Sequence, residues 1–276
     1  MDFWYIGGPD TSSDYRHSYV NGSLHHPYGL PGIVCDVCGQ SWAGFRTLGD
    51  CCPVDLRNEQ AIIERSPIGR TEHVALQERI LRELGKKGHP FVDLRPGDRL
   101  QPSYLNVPSR PCADFLWPDA GNGLVVSERV KDLLRELCRD EVAIYPVILG
   151  RIGAGDARAR TPRPRTGEPE DLINEVTLLN DLSDVGPYHE VIVLNESRYP
   201  PDTTIQTCEG CGRSEINCPN RALAIMTAQM WRGQSIFVLA PTRLILITDD
   251  LRKRIRRLRP TNVEFNKKHV IQTRLG

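Results

Sequence analysis

Two short stretches carry the residues best suited to chemistry: Cys35-Asp36-Val37-Cys38-Gly39 and Cys208-Glu209-Gly210-Cys211-Gly212. A C-x-x-C turn sets two sulfurs on one side of a tight loop. A glycine directly after the second cysteine permits the positive φ that turns backbone amides toward sulfur. Two such knuckles supply four thiolates, the set that structural zinc takes tetrahedrally at ~2.3 Å. The predicted metal ligands are therefore Cys35, Cys38, Cys208 and Cys211, with Zn2+ in a structural role. A four-sulfur site is coordinatively closed, so it predicts architecture rather than turnover, and the chain reads as a non-enzyme.

The 169 residues between Cys38 and Cys208 far exceed the ~15–20 of a continuous ribbon. Closing a flexible loop of that length costs about 4.5 kcal/mol, against about 10–16 kcal/mol for structural zinc in small peptides. A discontinuous site is thus physically acceptable. The alternatives are two independent sites or a redox pair. Redox chemistry calls for a C-x-x-C at a strand-to-helix junction, and the turn-rich 39–50 and 212–220 promise no helix. Cys51, Cys52 and Cys218 lie near enough in sequence to substitute as ligands, whereas Cys112 and Cys138 read as small buried hydrophobes. No H-x₃₋₅-H spacing accompanies either knuckle.

The elements that must position these turns are legible in the hydrophobic periodicity. Leu124-Val125-Val126 reads as a strand and Ser127 as an N-cap. Val130, Leu133, Leu134 and Leu137 form a helical stripe, and Val142–Leu149 a second strand with Pro146 favouring an edge or bulge. The same grammar recurs at Leu244–Ile247, Thr248, then Leu251, Ile255 and Leu258, then Val263–Phe265. Adding 121 carries Ser127 onto Thr248, Leu134 onto Ile255 and Val142 onto Val263 without a gap, which predicts a duplicated strand–helix–strand unit. Further helices are predicted over 72–84 and 222–231, and a strand over Glu190–Leu194.

Two stretches are basic. Residues 150–171 combine five arginines with glycines and prolines and read as a surface loop. Six of the eight residues Arg252–Arg259 are Lys or Arg around an apolar stripe, a surface suited to phosphates or to an acidic protein.

The composition narrows the classes. Over 276 residues, 35 Lys+Arg balance 35 Asp+Glu, which removes the electrostatic case for a dedicated nucleic-acid binder. The chain is 39% hydrophobic and 25% charged, as in a globular protein able to build its own core. No apolar run reaches the ~18–20 residues of a membrane span, and the first residues lack a basic leader with an apolar stretch, so a cytoplasmic protein is expected. P-loop, H-E-x-x-H and G-x-S-x-G motifs are absent.

The two C-x-x-C-G motifs resemble those of the double-CXXCG family of paralogous myxobacterial proteins. So do Pro96-Gly97-Asp98, Asp114-Phe115-Leu116-Trp117-Pro118 and Leu124-Val125-Val126-Ser127-Glu128-Arg129 of the middle region. Members are regarded as immunity proteins of swarmer-inhibition systems, each made beside a polymorphic lipoprotein toxin that kin cells exchange. The resemblance implies a cytoplasmic inhibitor that binds its cognate toxin, and it points to the same four cysteines as zinc ligands. The expected fold is α+β (mixed α/β), a discontinuous four-cysteine zinc ribbon with a large inserted α/β body containing the two strand–helix–strand units. Residues 1–58 and 195–220 would form the ribbon portion, and 59–194 with 221–276 the body. The alternative is a zinc-ribbon nucleic-acid-binding or regulatory module that uses the basic helix.

Overall fold

The computed structural model describes residues 2–9, 22–26, 28–43, 46–51, 67–85, 94–107, 113–118, 123–150, 186–198, 204–217, 231–240 and 244–266. Among them the fold is mixed α/β, mostly strands, with three helices: α1 (Arg70–Gly85), α2 (Glu128–Leu137) and α3 (Asp249–Arg257). No helix among the described residues is long and apolar enough to cross a membrane. Residues 151–171 and 222–230, expected as a basic loop and a helix, lie outside the described residues, as do Cys52, Cys112, Cys218 and the side chain of Cys51.

Two sheets dominate. The larger runs, in spatial order, Phe115–Leu116, Leu124–Ser127, Tyr188–Val193, Val142–Gly150, Ser103–Asn106, Ser23–His25. The smaller runs Glu196–Arg198, Ile236–Ala240, Leu244–Thr248, Phe3–Gly7, Glu264–Asn266. Each contains the same motif. A hairpin partner and a first strand are antiparallel, a helix crosses over, and the return strand lies parallel to the first with an antiparallel strand between them.

The correspondence at 121 residues holds down to register. Phe115 faces Val126 as Ile236 faces Ile247, and Leu116 faces Val125 as Phe237 faces Leu246. Ile144 faces Val191 of its central strand as Phe265 faces Ile6 of the other. The central strand follows the first unit in the chain (Tyr188–Val193) but precedes the second by most of its length (Phe3–Gly7).

Both units bury their apolar residues in one shared core. It contains the matched pairs Phe115 and Ile236, Leu124 and Ile245, Val126 and Ile247, Val130 and Leu251, Leu134 and Ile255. Each fully buried aliphatic side chain contributes ~1.5–3 kcal/mol, so this core is the main source of stability for both sheets. The units also clasp each other reciprocally. After α2, Glu141 Oε2 accepts from Ser235 N and Ile236 N at 2.8 Å each. After α3, the matching Asn262 Nδ2 donates to Phe115 O at 2.8 Å.

Both predicted caps occupy their positions, but only one caps. Thr248 Oγ1 accepts from Leu251 N at 3.4 Å. Ser127 makes no side-chain cap bond and donates instead to Asp114 Oδ1 at 2.9 Å. Asp114 also takes a two-pronged bond from Arg129 and accepts from Thr261 N (2.9 Å) and Thr261 Oγ1 (3.0 Å), so one carboxylate joins the first unit to the second. The strand Val142–Gly150 is interior and pairs in continuous register on both sides, correcting the expectation of an edge or bulge. Pro146 is tolerated because it faces His189 on one side, while pairing with Ser103–Asn106 on the other begins only at Val147.

Helix α1 follows its predicted span with one turn-fraction added at each end. It buries His73, Leu76 and Ile80, at i, i+3 and i+7, and the two apolar residues pack against Leu30, Leu48, Leu94 and Leu100. Cys138 is buried in the shared core as expected, and burial followed by the charge of Glu141 pushes its thiol up to about 12.

Candidate metal centre

Each C-x-x-C-G turn tips a β-hairpin, and the two hairpins are built alike at a separation of 173 residues. Ile33–Val34 pairs with Ser41–Trp42 around the first knuckle, and Thr204–Thr207 pairs with Ser214–Asn217 around the second. Val34 faces Ser41 as Thr207 faces Ser214. Inside the turns, Gly39 N donates to Cys35 O and Gly212 N to Cys208 O, both at 2.8 Å. Cys35 N donates to Gln40 O at 3.0 Å and Cys208 N to Arg213 O at 2.9 Å. Gly39 and Gly212 hold φ of +66° and +75°, the left-handed conformation that makes glycine the fitting residue there.

The hairpin tips meet. The four sulfurs of Cys35, Cys38, Cys208 and Cys211 all lie within 4.8 Å of one another. Cys35 Sγ is 3.7 Å from Cys208 Sγ, and Cys38 Sγ is 3.9 Å from Cys211 Sγ. Four sulfurs each ~2.3 Å from a common centre in tetrahedral array stand about 3.8 Å apart, so the donor set and its spacing fit a metal ion. A disulfide requires ~2.05 Å, and all four cysteines are free. Neither C-x-x-C lies at a strand-to-helix junction, since each connects two antiparallel strands, and this removes the geometric basis of a redox pair.

The electrostatics of the cluster are those of sulfurs competing for one space. The amide of Cys38 donates to the Cys35 sulfur, with that of Val37 assisting, and holds its thiol down to about 6 against burial. Cys38 accepts from Gln40 N–H, but burial and the sulfurs of Cys35 and Cys208 outweigh that bond and raise it. Burial pushes Cys211 up to about 12, with the three neighbouring sulfurs adding to the rise. Four thiolates cannot be held together here without a compensating cation.

The two tips touch through Val37 and Gly210. A Cβ at Gly210 would lie 2.5 Å from Val37 Cγ2, 2.7 Å from Val37 Cβ and 3.1 Å from Cys35 Sγ. Gly210→Ala is therefore expected to force the tips apart and weaken metal affinity by at least about tenfold, ~1.4 kcal/mol, in competition with a chromogenic chelator. Adding Val37→Gly, which removes both nearest atoms, is expected to restore most of it.

A separate polar cluster, which periodicity did not disclose, is buried beneath the larger sheet. Glu190 accepts from Gln101 Nε2 at 2.6 Å and lies 3.1 Å from His26 Nε2, with all three residues buried. Burial opposes its ionisation, but His26 and Gln101 outweigh burial and hold the carboxyl below its ordinary value. The sequence signal was a single Glu opening an apolar strand, which reads equally well as a surface residue.

What these observations define is a mixed α/β protein, built around a duplicated unit, with a four-cysteine cluster at the meeting of two remote hairpins. No family model matches the chain, and no curated protein matches it.

Proposed function

We propose that this chain is an immunity protein that binds and neutralises a cognate toxin exchanged between kin cells, with a structural zinc ion held by Cys35, Cys38, Cys208 and Cys211. The observation that supports the zinc assignment is the close approach of four sulfurs presented by two equivalent hairpin tips. When bound, zinc supplies a closed, redox-inert cross-link and no site for substrate. The hairpins then form a discontinuous zinc ribbon, contributed by residues 1–58 and 195–220 and carried on a body of 59–194 and 221–276. The immunity assignment rests on the likeness of the paired knuckles and the middle region to the double-CXXCG proteins. Inhibition is by stoichiometric binding in the cytoplasm, without turnover.

Two measurements test this reading. Metal analysis of purified protein is expected to find one zinc per chain, and iron or no metal would overturn the zinc assignment. Co-expression with the product of the adjacent reading frame is expected to restore growth and yield a stable complex. Growth arrest that persists would overturn the immunity assignment. The basic helix favours a second reading, a nucleic-acid module, which predicts binding to generic DNA or RNA that falls steeply with salt.

A further inference from the structure

The duplication contains its own control for the basic helix. Helices α2 and α3 do the same structural work, packing matched residues (Val130 and Leu251, Leu134 and Ile255) into one core. Their outer faces differ. Among its residues α2 carries three acidic and three basic side chains, whereas α3 carries Asp249 and Asp250 against Arg252, Lys253, Arg254, Arg256 and Arg257. The positions of Lys253, Arg254 and Arg257 are held in α2 by Asp132, Leu133 and Glu136. Folding of the unit therefore does not require a basic helix. Like charges three and four residues apart, such as Lys253 with Arg256 and Arg257, cost ~0.2–0.5 kcal/mol per pair.

Part of the charge is answered locally. Arg252 pairs with Asp249 at 2.6 Å and stacks its guanidinium 3.9 Å over the Trp4 ring, and Lys253 pairs with Asp249 at 2.8 Å. Arg254, Arg256, Arg257 and the following Arg259 are exposed and have no ion-pair partner among the described residues. They are arginines, whose planar forks match carboxylates two bonds at a time.

Resting on the immunity reading above, we infer that the outer face of α3, through Arg254, Arg256, Arg257 and Arg259, is the docking surface for an acidic patch on the protein toxin. A folded acidic partner fits better than nucleic acid for two reasons. The helix itself also carries the exposed Asp250, which would repel a continuous phosphate backbone, and among the described residues it has no exposed aromatic side chain on which bases would stack. The surface would act mainly by steering encounter and fixing orientation.

The test uses the full chain, its triple variant R254E/R256E/R257E, and Arg135→Glu as the control, because Arg135 holds in α2 the place of Arg256. Circular dichroism and metal content must match wild type. In co-expression with the adjacent reading frame, the triple variant is expected to lose protection and at least about tenfold in toxin affinity, with Arg135→Glu protecting fully. Full protection by the triple variant would overturn the docking surface and leave the immunity reading standing. Failure of the wild type itself would overturn the immunity reading. A second arm then decides the surface alone, by titrating each protein with a polyglutamate peptide and a single-stranded oligonucleotide of equal charge. Peptide binding lost in the triple variant and kept in Arg135→Glu supports the surface. Equal binding by the triple variant, or tighter binding of the oligonucleotide, overturns it.

Discussion

Cys208→Ser is expected to reduce bound metal from one ion per chain to nearly none and to release the hairpin Thr204–Asn217 from the rest of the fold. That hairpin is a two-stranded sheet that pairs with no other described strand, and isolated two-stranded hairpins are marginal in water. Among the described residues it meets the rest of the fold at the cysteine cluster and where Gly210 lies against Val37 and Cys35. The four cysteines lie in none of the apolar clusters, so the two large sheets do not depend on them. Hydrogen exchange should therefore split: amides of 204–217 lose protection, while those of 124–149 and 244–257 keep it. Removing metal from the wild type with a chelator should give the same pattern. Retention of metal by Cys208→Ser, or uniform loss of protection across the chain, would refute a cross-link that acts locally.

Asp114→Ala is expected to destabilise the two-sheet core by about 3–4 kcal/mol, because it strips partners from a carboxylate site that is almost closed to water. Its partners span both copies of the duplicated unit: Ser127 and Arg129 in one, Thr261 in the other. The exposed half of the Arg129 side chain is screened, so the loss comes chiefly from the unsatisfied groups around Thr261 and Ser127. In thermal unfolding the shift should be roughly 5–10 °C downward. The pH dependence has a definite sign. The Arg129 guanidinium, followed by bonds from Thr261 and Ser127, holds the Asp114 carboxyl well below the usual carboxylate range. The unfolded chain therefore takes up this proton first. The contribution is complete above about pH 5 and drains away as pH falls through ~4 toward the folded value. Asp114→Asn should flatten that acid limb, and an unchanged limb would show that other carboxylates carry it.

The parts of this molecule that sequence disclosed are those encoded by short-range rules. The knuckles are readable because C-x-x-C-G fixes a turn within five residues, and the strand–helix–strand units because apolar spacing fixes each element locally. The offset of 121 also extended, unannounced, to the hairpin partners Phe115–Leu116 and Ile236–Ala240, since a two-residue strand offers too few positions to show a pattern. The central strands could not be found that way. One lies after its unit and the other before it, so no constant offset connects them. Asp114 and Glu190 were missed for a related reason: a buried carboxylate is defined by partners such as Thr261 and His26, far away in the chain. Ser127 shows the reverse case, a residue in the expected place whose hydroxyl donates to Asp114 rather than accepting a bond from the helix end.

The placement of Phe3–Gly7 has a bearing on how the molecule is made. Its neighbours Leu244–Thr248 and Glu264–Asn266 leave the ribosome more than two hundred residues later. At ~5–20 residues per second the nascent segment waits for roughly ten to fifty seconds. Throughout that interval Phe3 and Ile6, both fully enclosed in the finished protein, lack the two strands that flank them. The sheet around Phe3–Gly7 can thus close only once residues 244–266 have been made, and slowing or pausing synthesis between them lengthens the exposure of its first strand.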